Sequence, residues 1–338
     1  MKKLIKRGFA ALLALTLALG MSVSAFAIEG TADTATAVAK KVYQQINSNT
    51  TSPAEDFHFT AKAVSVTDAN NPDGSAVTLD QMPSLTITPV SYAAGGAGSV
   101  DSADSKRDLL VKPDKDFPSV GIYTYEVTET DGKTAGVGYN KEKLELKVTV
   151  FHDVETGAIK VGYAFRVGAN KGADIVNTYS AGSLHVGKHV NGNLGNKAQK
   201  FNINVTFTAP EGQTVNSTIT YGDKTITPEM MKDGSETVQI SLADNDVMVF
   251  NNVPYGVTYK VQEDKYKGYE TTYSNTEAGA DYVQGTIDAR FMIADIYNKK
   301  VGSVDTGVIL HSAPYVLLLV GVGAAAVAFL ILKKHREV

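Results

Sequence analysis

Between about residue 28 and residue 302 the chain alternates apolar with polar residues in short runs, and no long run with a helical period of 3.6 interrupts them. Phe57-His58-Phe59-Thr60-Ala61, Leu85-Thr86-Ile87-Thr88, Gly121-Ile122-Tyr123-Thr124-Tyr125-Glu126-Val127, Leu144-Glu145-Leu146-Lys147-Val148-Thr149-Val150 and Phe201-Asn202-Ile203-Asn204-Val205-Thr206-Phe207 all follow this pattern. A period of two places every second side chain on one face, so each run reads as a strand with one face buried. Turn clusters separate the runs, among them Asn70-Asn71-Pro72-Asp73-Gly74, Glu155-Thr156-Gly157 and Asn191-Gly192-Asn193. Many short strands with regular turn signals predict an all-β chain of two sandwiches, at residues 28–180 and 181–302, with the boundary at Ser180-Ala181-Gly182-Ser183.

Both ends depart from the pattern. Lys2, Lys3, Lys6 and Arg7 precede an apolar run at residues 9–19, and Ala25-Phe26-Ala27 offers small residues where a signal peptidase cuts, which predicts a secretory signal peptide over residues 1–27. Residues 315–332 are uncharged and apolar, about 27 Å as a helix, and Lys333, Lys334, His335 and Arg336 follow at once. That predicts a membrane span with its basic end in the cytoplasm, inside a tail of residues 308–338. The signal peptide carries +4 and residues 307–338 carry +2, so a total of −4 leaves −10 on the exported region. Such acidity argues against a nucleic-acid partner. An exported chain is free to form disulfides, yet this one has no cysteine, so any covalent staple must use other chemistry.

The two halves repeat weakly. Gly121-Ile122-Tyr123-Thr124-Tyr125-Glu126-Val127-Thr128-Glu129 in the first corresponds to Tyr255-Gly256-Val257-Thr258-Tyr259-Lys260-Val261-Gln262-Glu263 in the second, and Ile175-Val176-Asn177 corresponds to Ile296-Tyr297-Asn298. Each half also opens on a strand with lysine, Val38-Ala39-Lys40-Lys41 and Leu184-His185-Val186-Gly187-Lys188. A Lys, a Glu and an Asn thus recur in the same order.

That order resembles the shaft pilins of Gram-positive bacteria, specifically the streptococcal pilin isopeptide-linker family. The resemblance rests on Val127-Thr128-Glu129, the spacing from Lys41 to Phe57-His58-Phe59, Asn298-Lys299-Lys300, and Ser303-Val304-Asp305-Thr306-Gly307 before the apolar tail. It implies two tandem immunoglobulin-like (CnaB-like) domains, each with a spontaneous amide bond between a Lys on the first strand and an Asn on the last, promoted by a Glu. Carried over, these are Lys41, Glu129 and Asn177, then Lys188, Glu263 and Asn298. Lys40 is the alternative to Lys41, since Val38, Lys40 and Val42 would share a face, although the spacing to Phe57 favours Lys41. In such a site burial makes the lysine a neutral nucleophile and keeps the glutamic acid protonated, so that it polarises the amide carbonyl and relays the proton that leaves with ammonia. The reaction runs once per bond, without turnover, and implies no enzyme activity toward other molecules.

The resemblance also implies a sortase that cuts Thr306-Gly307 within residues 303–307, with Asp305 where the family usually has Pro. It further implies an acceptor lysine on the next identical subunit, here Lys171 in Gly168-Ala169-Asn170-Lys171-Gly172, with Lys160 as the alternative. The implied product is a secreted, wall-attached fibre with accessory pilins and an open question of host or neighbouring-cell ligands. A monomeric wall-anchored adhesin, binding through loops such as residues 92–106, is the second reading. No cofactor or metal is expected. His58, His152, His185 and His189 lack ligand spacing, Gly95-Gly96-Ala97-Gly98 lacks the Gly-Lys that would complete a phosphate loop, and residues 68–74 lack the Glu of a calcium loop.

Overall fold

A computed structural model of the chain describes residues 28–29, 34–99 and 102–303. The expected signal peptide, Val304 to Gly307 of the sorting segment and the apolar tail lie outside the described residues. Within them the architecture is all-β and immunoglobulin-like, and the helical elements are two short 3-10 turns, Leu79–Gln81 and Ala103–Ser105.

The first sandwich contains β1 (Thr36–Gln45), β2 (Phe59–Thr67), β3 (Lys106–Pro113), β4 (Gly121–Glu129), β5 (Leu144–His152), β6 (Ile159–Val167) and β7 (Ile175–Tyr179). One sheet runs Ile28–Glu29, β6, β5, β4, β2, and the facing sheet runs Val137–Gly138, β7, β1, β3, Leu85–Ile87. Period-two burial along β5, with Leu144, Leu146, Val148 and Val150 inward, is the alternation read from the sequence. The run Phe57 to Ala61 is not one strand, as the alternation predicts. Glu55–Phe57 pairs with Val90–Tyr92, whereas Phe59 pairs with Glu129 in the other sheet, so the chain changes partner at His58. Both phenylalanines are buried, and an unbroken alternation therefore hides the corner.

The second sandwich contains β8 (Ala181–Asn191), β9 (Phe201–Thr208), β10 (Ile219–Tyr221), β11 (Ser235–Leu242), β12 (Val247–Pro254), β13 (Thr258–Glu263), β14 (Glu270–Tyr273), β15 (Val283–Thr286) and β16 (Phe291–Lys299). Its sheets run Lys224–Ile226, β10, β12, β8, β16, β14 and β11, β9, β13, β15. Each sandwich encloses its own apolar core. In each, the last strand lies parallel to the first as its immediate neighbour.

Side chains join the two units. Asn252 holds a left-handed φ of 61°, its Oδ1 accepts the Thr51 N–H at 2.9 Å, and its Nδ2 donates to the carbonyls of Thr51 and Thr218 at 3.0 and 2.9 Å. The pair of bonds with Thr51 imitates a β-bridge across the junction. Asn47 Nδ2 donates to Ala181 O and to Tyr255 Oη, both at 2.8 Å. Asn252→Gly keeps the left-handed backbone free of strain while removing the bridge. It should cost about 3 kcal/mol, at about 1 kcal/mol for each of the three hydrogen bonds lost, and loosen the junction. Small-angle scattering should then show a broader distribution of interdomain distances than in the unaltered protein; an unchanged profile would show that other contacts set the angle.

Candidate functional site

The parallel pairing of first and last strands fixes what meets inside each domain. Lys41 on β1 stands opposite Ile175 on β7, so Asn177, two residues on, presents its side chain to the same face. In the second domain Lys188 on β8 stands opposite Ile296 on β16, and Asn298 is again two residues on. A glutamate closes each group from the facing sheet, Glu129 at the end of β4 and Glu263 at the end of β13. Lys41, Asn177, Lys188 and Asn298 are all 0% exposed. Fully buried Lys and Asn are rare, and the same offset recurs in both domains.

Lys40 does not belong to this site. A bulge between Ala37 and Ala39 shifts the alternation of β1, so Ala39, Lys41 and Tyr43 face inward and Lys40 turns out to an ion pair with Asp108 at 2.6 Å.

In the first group Lys41 Nζ lies 3.4 Å from Glu129 Oε1, and Asn177 Nδ2 donates to the same oxygen at 2.6 Å. In the second, Lys188 Nζ lies 2.9 Å from Glu263 Oε2, and Asn298 Nδ2 donates to Glu263 Oε1 at 2.6 Å. The Lys188 contact is close but poorly angled for a hydrogen bond, and it is the proximity that matters for proton exchange. Each lysine also sits over an aromatic face, Lys41 Nζ 4.3 Å from the Phe57 centroid and Lys188 Nζ 4.7 Å from that of Phe201. The rings exclude water while offering an ammonium weak compensation. Phe57 is the landmark used in the sequence; Phe201, which opens β9, has no comparable signature.

Burial removes the solvation of the charged forms. It pulls the Lys41 amine down to about 8 against the opposing pull of Glu129, and it lowers Lys188 in the same way. It raises Glu129 and Glu263 above the usual carboxylate range, against the lysines beside them. Both shifts favour a neutral amine next to a neutral acid. An uncharged amine, a carboxamide and a proton carrier in a dry pocket are the components of an amide exchange with loss of ammonia. The glutamate faces the amide nitrogen, not the carbonyl as the sequence comparison implies. In the first domain the orientation is fixed, because Asn177 Oδ1 accepts the main-chain N–H of Asn140 at 3.0 Å and only an oxygen can do so.

The other expected residues lie apart from these pockets. Lys171 is exposed in the two-residue strand Asn170–Lys171, paired with the end of β6 between Gly168 and Gly172, both at positive φ. Lys160 is ion-paired with Asp153 at 2.6 Å. Ser303 is exposed, and Gly302 before it is gripped by Asn193, whose Nδ2 donates to Gly302 O at 2.8 Å and whose Oδ1 accepts the Gly302 N–H at 3.0 Å. Among the described residues no group of three or more His, Asp or Glu is arranged to hold a metal ion.

Residues 37–180 match the Spy0128-like isopeptide containing domain, and residues 182–300 match a domain of unknown function, DUF7601. A curated relative, "Pilin" of Streptococcus pyogenes serotype M1, is 27% identical over 301 residues, which is 83% of this chain and 86% of that protein. The chain is a relative of the streptococcal shaft pilins. The crystal structure of the major pilin from Streptococcus pyogenes shares the fold of this chain, with a TM-score of 0.50 at 23% identity over 78% of this chain and 98% of the other. The match to the isopeptide-containing family covers Lys41, Glu129 and Asn177, whereas Lys188, Glu263 and Asn298 fall in the stretch whose family has no assigned function.

Proposed function

We propose that this chain is a pilin, a structural subunit of a covalent cell-surface fibre, that each of its domains closes an amide bond between lysine and asparagine, and that a sortase joins successive subunits through Thr306. The observation that carries the reading is the duplicated triad: Lys41 with Asn177 and Lys188 with Asn298, each pair dry, two residues out of register on parallel first and last strands, and bridged by a buried glutamate. Lysine Nζ attacks Asn Cγ, the Cγ–Nδ2 bond breaks, and one proton travels from Nζ to Nδ2 through the glutamate, so that ammonia leaves and an amide remains. A bond between neighbouring terminal strands carries tension directly from one to the other, past the strands between them.

The same reading gives the exposed Lys171 the acceptor role and places the sorting segment one residue beyond the Asn193 grip. Thr306 then lies four residues past Gly302, within about 14 Å of that anchor even when fully extended, which keeps consecutive subunits close. The first test is intact mass spectrometry of the mature chain, which should weigh two ammonia molecules less than its sequence; the full mass would sink the cross-link. Detergent electrophoresis of wall extracts separates the fibre from a monomeric adhesin, since only the fibre yields a ladder.

Blocking the bond exposes the titration of the lysine. In Asn177→Ala, which retains Lys41 and Glu129, stability should rise as pH increases from about 8 to 10.5. The folded lysine releases its proton near 8 and the unfolded one holds it to 10.5, so the unfolded chain binds more protons across that window. Below 8 both forms are protonated and the contribution is flat. Urea unfolding across the window should show the rise, and Lys41→Met in the same background should remove it.

A further inference from the structure

The two triads differ at one atom. Asn177 Oδ1 accepts the main-chain N–H of Asn140 at 3.0 Å, and that N–H also lies 3.2 Å from Glu129 Oε2. The corresponding oxygen in the second domain, Asn298 Oδ1, is buried and accepts no hydrogen bond among the described residues. The sequence repeat gives no hint of this, because a main-chain donor leaves no residue signature.

The donor is held from several sides. The edge strand Val137–Gly138 pairs antiparallel with β7, Val137 opposite Tyr179 and Gly138 opposite Thr178, so the next two residues pass Asn177. Tyr139 is pinned by its O–H, which donates to Glu55 Oε1 at 2.6 Å, and by its ring, which meets Phe57 edge-on at 6.0 Å. Phe57 is the ring beneath Lys41. Edge strand, tyrosine and phenylalanine thus fix the N–H relative to both reactants.

When Nζ attacks Cγ, the amide oxygen gains negative charge until the Cγ–Nδ2 bond breaks. A preset donor at that oxygen stabilises the charge without reorganisation, in a pocket where water does not compete. In the second domain no such donor is present among the described residues, and Glu263 meets the leaving nitrogen alone. Asp244 adds a further carboxylate near Lys188, favouring its charged, unreactive form.

We propose that the main-chain N–H of Asn140 is the oxyanion donor for the first cross-link, and that the bond from Lys41 to Asn177 therefore closes before that from Lys188 to Asn298. The inference rests on the cross-link reading above and adds an order of events to it.

The full chain, pulse-labelled with heavy amino acids during synthesis and quenched in acid at intervals, supplies the test. Digestion and mass spectrometry quantify the two bridged peptides separately. The expected intermediate has lost one ammonia and carries the first bridge. In Asn140→Pro, which deletes the N–H, the first bridge should form on the order of 100-fold more slowly, as for the loss of one oxyanion donor elsewhere, with the second unaffected. Equal rates in the unaltered chain, or the second bridge appearing first, would overturn the proposal while leaving the cross-links standing. So would a folded Asn140→Pro chain that forms its first bridge at the normal rate. Should the variant not fold, the order of bridges in the unaltered chain decides alone. Absence of any ammonia loss would overturn this proposal together with the cross-link reading.

Discussion

Lys41→Met should lower the melting temperature of the first domain by roughly 15–25 °C and leave the second domain's transition in place. The bond would close a loop of 137 residues, and tying its ends restricts the unfolded chain by about 5 kcal/mol. For a domain of this size each kcal/mol is worth roughly 3–5 °C. Methionine nearly conserves the volume of the lysine, so the fall does not arise from a cavity. Nor does it arise from a lost ion pair, since a lysine tied up in an amide carries no charge and burial holds Glu129 toward its neutral form. Lys188→Met should reproduce the effect in the second domain, where the loop has 111 residues. Calorimetry with limited proteolysis checks both, and unchanged transitions in both variants would leave the bonds without a structural role.

Glu129→Ala and Glu263→Ala separate the promoter from the nucleophile. Each should retain one ammonia, because the amine and the amide still meet while the proton carrier is gone. The stability loss should be at least that of the corresponding Lys→Met chain, since either change leaves the loop open and alanine also leaves the buried lysine and Asn Nδ2 without their partner. A glutamate variant that still closed its bond would show that the amine passes its proton by another route.

The sequence discloses this site unusually well, and where it fails the reasons are local. Period-two alternation carries most strands because one face of each is buried, and the three residue types of the triad stand out because Lys, Glu and Asn are seldom found at inward strand positions. Choosing between Lys40 and Lys41 defeats alternation alone, because the bulge after Ala37 reverses which residues face inward. The corner at His58 is hidden for the complementary reason: Phe57 and Phe59 are both buried, in different sheets. Phe201 and the Asn140 N–H could not be read at all. They reach the triads through contacts set by the packing of the two sheets and by an edge strand of two residues, and neither leaves a periodic trace.

Lys171→Arg should abolish the high-mass ladder in wall extracts while leaving both ammonia losses and the melting transitions unchanged. The acyl group left on Thr306 after cleavage needs an amine, and arginine keeps the charge of lysine while offering no comparable nucleophile. Lys171 lies on a short exposed hairpin outside both cores, so the substitution disturbs no packing. Lys171 is exposed whereas Lys41 and Lys188 are buried, so on the proposed reading the internal bonds would rely on their dry pockets and the joint between subunits on an enzyme. Lys160, the other lysine near that edge, is held by Asp153 on the neighbouring turn and presents its amine less freely. Persistence of the ladder in Lys171→Arg, with tandem mass spectrometry placing Thr306 on another lysine, would move the joint without touching the internal cross-links. Loss of the ladder accompanied by retained ammonia would instead show that Lys171 supports folding of the first domain, and the acceptor role would fall.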